Sequence, residues 1–519
     1  MTEPKLAAAE GAPESAPRPQ PWPARAAVLL RRHWLVSVFL AAGLVLRVLA
    51  KVAYSPALIY VDTLKYLYGV YPGSDPLGYR ALLKVLLPFG GLPVVAVLQS
   101  LLGLAVAVVL YVVLLRRGTV RWLAAVAVAP VLLDAYQLQM EQTIMPDVWF
   151  DAMIVAGLAV LLWRPAVSVP FAVAAGLILG SSATFKAVGE LLVLPAVLFL
   201  LVAGGGWRRA AGRAAALAAA FALPILAYCT FSYADTGHFW LARSQSTSGR
   251  LASAADCATL KLPADVRPLC PTPAEQAQGP DWLEHSSASP LHSAAIPRGA
   301  SRAKLIGELG AAVEHQQPLR VVAGIAQDSL RLFSVTRTPT PWISPISRWQ
   351  FQTSYPTYPN WVTLGPGNVI VVGLQRKAFG MFRFHPLSPA YGGPARVNRP
   401  IAAFLHSYQL DGGFTPGPLL LLFTLAGLAG SVLVLVRRTR VARGTRSRQL
   451  GLGCLLFTAT AVVVLLAPDV LEFSWRYQLP ALITLPPAGM LGISAILAGR
   501  QARREAPAGR DGDPAPGPG

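Results

Sequence analysis

Charge is the scarcest commodity in this chain. Only 13% of its 519 residues are Asp, Glu, Lys or Arg, about half the share of a soluble domain. A chain of this length with so little charge cannot cover itself for water alone, so lipid is the expected second solvent. Cysteine is scarce as well. Four are present, with no C-x-x-C and no paired histidine spacing beside them, which argues against a zinc site. Acid is the rarer sign, 25 residues against 45 basic ones. The resulting net charge of +20 would suit a nucleic-acid binder only if it were spread over a water-facing surface.

What the chain has instead is apolar runs near the length that crosses a hydrocarbon core of about 30 Å. Ten are predicted: 33–53, 92–115, 122–138, 147–163, 168–184, 189–205, 214–233, 417–436, 449–467 and 479–498. With the N-terminus placed in the cytoplasm, the loops on that side hold thirteen basic residues, among them Arg116, Arg117, Arg121, Arg164, Arg208, Arg209, Arg213, Arg446 and Arg448, and no acid. That asymmetry is a topology signal and a contact for anionic membrane lipid, and no nucleic-acid partner is expected. The first run has no small-residue cleavage site after it, so it is expected to stay as an anchor.

The organisation follows. Residues 1–30 and 499–519, rich in Pro, Ala, Gly and charge, are expected to be disordered cytoplasmic tails. Residues 31–233 form an N-terminal membrane module of about seven spans, and 417–498 a C-terminal one of about three. Residues 234–416 are too long for a loop and are expected to be an exterior domain of mixed or irregular structure. Cys257 and Cys270, 13 apart on the oxidising side, are expected to form a disulfide. The stretch 301–335 has helical periodicity through Leu319, Val322, Ile325, Leu330 and Phe333, which reads as amphipathic helix on the outer leaflet.

Ionisable side chains at membrane depth are costly, so each one is informative. Arg47 and Lys51 sit in the last turns of the first run, where snorkelling to headgroups is the plain reading. Asp62 stands in "IYVDTLKYLYGVYP" with apolar and aromatic neighbours on nearly every side, as expected of a carboxylate facing a pocket. Glu141 and Asp147 come in the next outer loop, Lys186 in the one after, and Glu472, Arg476 and Tyr477 in "EFSWRYQLP" before the last run. Four outer loops thus bring acid or base to one face. His385 and His406 read as structural or solvated.

In this order the pieces resemble the GT-C class of integral-membrane glycosyltransferases, in particular the protein O-mannosyltransferase and aminoarabinose-transferase branch. The resembling pieces are Arg47 ending the first run, Asp62 in its aromatic loop, "GYRALLKVLLP" in place of the family's His-Pro-Pro-Leu-Tyr-like stretch, "EQTIMPDVWFDAMI", "GLILGSSATFKAVGELLVLP" and "RYQLPALITLPPAG". They cover roughly 40–205 and 470–490. The resemblance implies an all-α, GT-C-like bundle in the plasma membrane that moves a sugar from a polyprenyl-phosphate carrier to a lipid, glycan or protein acceptor outside, with inversion. It implies Asp62 as the catalytic carboxylate. Fixed cations suit a leaving phosphate, which makes Lys186 and Arg476 first candidates, with Arg47 and Arg80 behind them. Glu141 and Asp147 are candidates for orienting the acceptor or holding a hard cation such as Mg or Mn, and the residues leave metal dependence open. A transporter or flippase of a lipid-linked or polar substrate is the alternative, although transporters gather their charges near the bilayer midplane.

Overall fold

The computed structural model describes residues 28–60, 62–68, 76–242, 247–337, 346–355, 395–436 and 446–504. Helical segments stand at all ten apolar runs. The first module holds α1 (Trp34–Ala53), the short α2 (Thr63–Tyr68) and α3 (Gly78–Leu86), then α4 (Gly91–Arg117), α5 (Arg121–Leu133), α6 (Ala135–Gln142), α7 (Asp147–Leu162), α8 (Val169–Ala183), α9 (Val193–Ala203) and α10 (Trp207–Thr236). Residues 234–416 supply α11 (Ser248–Ala254), α12 (Gly279–His285), α13 (Arg302–Gln316), α14 (Pro318–Leu330) and α15 (Arg399–Leu410). The last module is α16 (Gly417–Val436), α17 (Arg446–Asp469) and α18 (Pro480–Arg504). Among the described residues six helices are long and apolar enough to cross a membrane, and seven if the bent pair α5–α6 counts as one span. At 16 residues α7 is shorter, as are α8 and the segment Ala187–Ala203. The protein is therefore an all-α, multi-pass membrane protein.

The 49° bend between α5 and α6 has a local cause. Asp134 leaves the helical conformation and caps α6, accepting from Tyr136 N at 2.9 Å. Its second oxygen accepts from Thr415 N at 2.7 Å, so the same carboxylate ties the bend to the entrance of α16. Elsewhere the bundle depends on close backbone approach. A Cβ on Gly180 of α8 would lie 2.1 Å from the Phe221 carbonyl oxygen of α10, so only glycine lets these helices meet.

One end of the bundle is a latch of arginines. Arg446 donates to Gly118 O at 2.6 Å, Arg117 to Arg164 O at 3.0 Å, Arg213 to Val167 O at 3.0 Å and Arg448 to Val202 O at 3.3 Å. At the other end lie Asp62, Asp147, Lys186 and Arg476. Over that end sit helices of residues 234–416. Those around Leu251, Leu269, Leu283, Leu305 and Val313 share a small core of their own, with the bonded Cys257–Cys270 pair, Cα atoms 5.9 Å apart, packed at its edge. The described part of this region is short helices and turns, apart from one two-stranded pairing. There β1 (Tyr54–Ser55), leaving α1, runs antiparallel to β2 (Arg396–Val397), which leads into α15. The tails lie outside the described residues except at 28–30 and 499–504, and so do 338–345 and 356–394.

Candidate functional site

The loop after α1 is buried before it reaches Asp62. Ala57, Leu58, Ile59 and Tyr60 are each at most 5% exposed. Their backbone is held as a strand would be: Leu58 N donates to Gln142 O at 2.9 Å and Ile144 N to Leu58 O at 3.0 Å. Thr63 then donates its hydroxyl to Ile144 O at 3.0 Å and accepts from Tyr60 N at 2.9 Å. Asp62 is thus delivered at the start of α2 by a clamp that spans two loops.

Five charged groups meet there in alternating order. Lys65 Nζ lies 3.2 Å from Asp62 Oδ1. Asp62 Oδ2 accepts from Arg476 Nη1 at 2.7 Å. Arg476 Nε is 3.7 Å from Asp147 Oδ1, which also accepts from Lys186 Nζ at 2.8 Å. The run is cation, anion, cation, anion, cation, with one positive charge in excess. Aromatic rings line it. The Arg476 guanidinium lies 4.8 Å from the Tyr477 ring centre, 5.3 Å from Trp349 and 5.8 Å from Tyr60, while Lys186 Nζ is 5.3 Å from the Tyr477 ring and 5.6 Å from Phe150. Such contacts hold a cation in place without neutralising it. Burial alone would raise the pKa of Asp62; Lys65 and Arg476 outweigh it and hold the carboxyl down at about 2.

The site has unused hydrogen-bonding capacity. Asp147 Oδ2, Arg476 Nε and Trp349 Nε1 are buried and have no hydrogen-bond partner among the described residues. Buried polar atoms are ordinarily satisfied, and here one acceptor and two donors wait at one place. Asp151, 3% exposed, lies one turn beyond Asp147 on α7.

Other expected site residues lie elsewhere. All five N–H groups of Arg47 are bonded within the protein: two to the Glu141 carboxylate, both at 2.7 Å, and three to Gly43 O, Leu132 O and Val131 O, each at 3.0 Å. None is left for a phosphate, and Glu141, 0% exposed, is likewise closed to an acceptor or metal. This pair is a brace between α1 and α6. Gly103 of α4 makes room for it, since a Cβ there would lie 2.0 Å from Glu141 Oε1. Gly103→Ala is therefore expected to lower stability by about 1–3 kcal/mol through overpacking, read as a fall in the melting temperature of purified protein; an unchanged melt would mean that the brace relaxes freely. Lys51 turns inward, donating to Pro56 O at 2.9 Å and Pro93 O at 3.1 Å, where snorkelling was expected. Arg80 stands on α3, whose first residue Gly78 donates to Thr184 O, two residues before Lys186. It makes no ion pair among the described residues. His406 Nδ1 is 2.5 Å from Phe351 O, a structural bond, and His385 lies outside the described residues.

Glu472 does not join the charged run directly. Its neighbour is Asp281 of α12, and burial together with that carboxylate pushes its pKa up. Asp281 is also 3.2 Å from His285 Nδ1. The sequence did not single out Lys65 as a site member, and it did not single out Trp349, because a single tryptophan in an irregular region carries no spacing signal. Among the described residues no three His, Cys, Asp or Glu come together as a metal would need, and Asp62 and Asp147 already carry cationic partners.

Fold and site together define a multi-pass helical membrane protein with a charged, aromatic-lined centre at one end of its bundle. Among solved structures it is similar to a Saccharomyces cerevisiae protein O-mannosyltransferase, the Pmt1–Pmt2 complex bound to the sugar donor, at 17% identity over 45% of this chain and 38% of that one, TM-score 0.31. It is similar to the Archaeoglobus fulgidus oligosaccharyltransferase AglB in complex with an inhibitory peptide and a dolichol-phosphate, at 14% identity over 93% and 53%, TM-score 0.41. It is similar to Cupriavidus metallidurans ArnT bound to undecaprenyl phosphate, at 16% identity over 90% and 78%, TM-score 0.30. The chain thus spans less than two thirds of the first two proteins' own length. No protein-family model and no curated protein matches it.

Proposed function

We propose that this protein is a GT-C-like membrane glycosyltransferase that moves a sugar from a polyprenyl-phosphate carrier to an acceptor on the outer face of the plasma membrane. The observation that carries this reading is the alternating run Lys65–Asp62–Arg476–Asp147–Lys186. Its cations are fixed and its net charge is positive, which suits a phosphate whose charge grows as the sugar leaves. Its carboxylates suit a hydroxyl that must lose a proton. The arginine latch supports this sidedness, since basic loops without acid favour the cytoplasm and the site lies at the opposite end.

In this mechanism the acceptor oxygen attacks the anomeric carbon. The bond from that carbon to the phosphate oxygen breaks, and the phosphate leaves with the electron pair. The acceptor proton passes to Asp62, and a single displacement inverts the anomeric centre. At rest Asp62 is a weak base, because Arg476 and Lys65 hold its pKa at about 2. An arriving phosphate competes for those same cations, and their partial release raises the basicity of Asp62 when a donor is present. Lys186 and Arg80 are the further phosphate contacts, and Asp147 orients the acceptor.

Membranes containing the protein, given radiolabelled polyprenyl-phosphate mannose, arabinose and glucose in turn, are expected to move one label onto an acceptor. If no label is transferred while labelled lipid crosses the bilayer, the protein is a transporter and the proposal fails.

A further inference from the structure

Helix α14 is built inside out for a helix in water. Its outward stripe is apolar: Leu319 is 81% exposed, Val322 60% and Leu330 63%. Ala323 and Ala326 are exposed between them. These positions recur at steps near three and four, so they share one face. Its inward side carries the charge. Asp328, 7% exposed, pairs with Arg250 at 2.6 Å and Arg331 at 2.9 Å. Ser329 donates to Asp469 Oδ2 at 2.6 Å, and Arg250 donates to Asp469 O at 3.0 Å. The polar side is therefore fully engaged in docking α14 on the end of α17. Of the helix's other polar residues, Arg320 turns to Ala254 O at 3.1 Å and Gln327 is exposed at the edge of the stripe, so the stripe itself is apolar. Apolar area left in water forgoes roughly 25 cal/mol per Å², so this face calls for an apolar solvent.

The position of α14 says which solvent. The helix runs through the turn Arg331–Phe333 straight onto the start of α16. Gly417 there lies so close that a Cβ would come within 2.2 Å of Ser334 O. α16 is one of the six spanning helices, and its Leu422 and Leu425 also face outward. The apolar stripe of α14 is thus continuous with the lipid-facing surface of a span, at the depth where that span begins.

From this continuity we infer that α14 lies in the plane of the membrane surface at the site end of the bundle, with Leu319, Val322 and Leu330 among lipid acyl chains. Helices of this kind sit roughly 5–10 Å into the headgroup and acyl boundary. Because Asp328 and Ser329 bolt α14 to Arg250 and Asp469, its depth in the lipid fixes the height of α11 and of the exterior core above the bilayer.

The test uses the full chain in phosphatidylcholine liposomes. Val322→Cys and Leu319→Cys are labelled with an environment-sensitive fluorophore, with Lys304→Cys on α13 as the water-facing comparator. The native thiols interfere little, since Cys229 and Cys454 are buried and the other two are bonded; labelled wild type sets the background. Probes at 322 and 319 are expected to emit to the blue of the probe at 304. They are expected to lose intensity with shallow nitroxide-bearing lipid and keep it with iodide, and the probe at 304 to behave oppositely. Iodide quenching at 322 and 319 equal to that at 304 overturns the inference. So does protection from both quenchers, which would mean that protein covers the stripe. Gel filtration of each labelled variant verifies the fold, and two independent positions guard against the loss of one.

Discussion

Asp62→Asn is expected to lower sugar transfer by at least about 10²-fold, the lower edge of what a general base contributes. The amide keeps the size of the carboxylate and can still accept from Arg476, but it cannot take the acceptor proton. The variant is expected to insert and to bind the lipid donor, since Lys186 and Arg476 remain. Its stability cost is modest, because an amide of the same size can still accept from Arg476 and Arg476 keeps Asp147. The pH dependence has a definite sign. Asp62 has its pKa lowered from 3.8 to about 2, so the stability it contributes is fully present above 3.8 and is lost as pH falls through about 2. Between pH 5 and 8 it stays ionised, and loss of rate in Asn cannot be traced to a change in its protonation. The measurement is product formation by purified protein in liposomes at saturating donor. Wild-type turnover would remove Asp62 from the chemistry, and a solvated loop residue would shift stability by only about 0.5 kcal/mol.

Arg476→Ala is expected to cost about 10²–10³-fold in turnover, by analogy with the loss of one donor that stabilises transition-state charge. The donor KM should rise as well, because the guanidinium is proposed to hold the phosphate in the ground state too. The substitution has a second effect. It frees Asp62 from its stronger partner and leaves Asp147 with Lys186 alone, so the Asp62 pKa moves back up towards the ordinary range and the acid limb of the rate profile shifts to higher pH. Arg476→Lys restores a charge but not the fork that touches two carboxylates, and it recovers only part of the rate. If Arg476→Ala turns over normally in folded protein, the run of charges is a structural brace and the phosphate lies elsewhere.

Much of this arrangement was legible beforehand, for a physical reason. Apolar length and basic-loop asymmetry are properties of local sequence, so the positions of the helices could be read directly. The gathering of Asp62, Asp147, Lys186 and Arg476 at one end follows once the helices alternate in direction. Pairing could not be read in the same way. Arg47 and Glu141, 94 positions apart, looked like two separate functional charges, and only packing turns them into one neutral brace. The span count was harder still, because α7, α8 and α9 carry apolar sequence without the length to match it. Trp349 belongs to a stretch with no periodicity, and only its place against Tyr60, ring centres 4.4 Å apart, brings it to the site.

The two ends of the bundle are fastened by different chemistry. At the arginine latch each bond runs from a guanidinium to a neutral acceptor, such as Arg446 to Gly118 O or Arg448 to Val202 O. Neither partner changes charge at any pH the cell meets, because guanidinium stays protonated and a carbonyl does not titrate. At the far end every fastening that involves Asp62, Asp147 or Asp328 depends on an ionised carboxylate. Neutralising the carboxylates therefore loosens the molecule from one end only: the arginine latch keeps its bonds while the site end, together with the helices seated on it, loses its ion pairs.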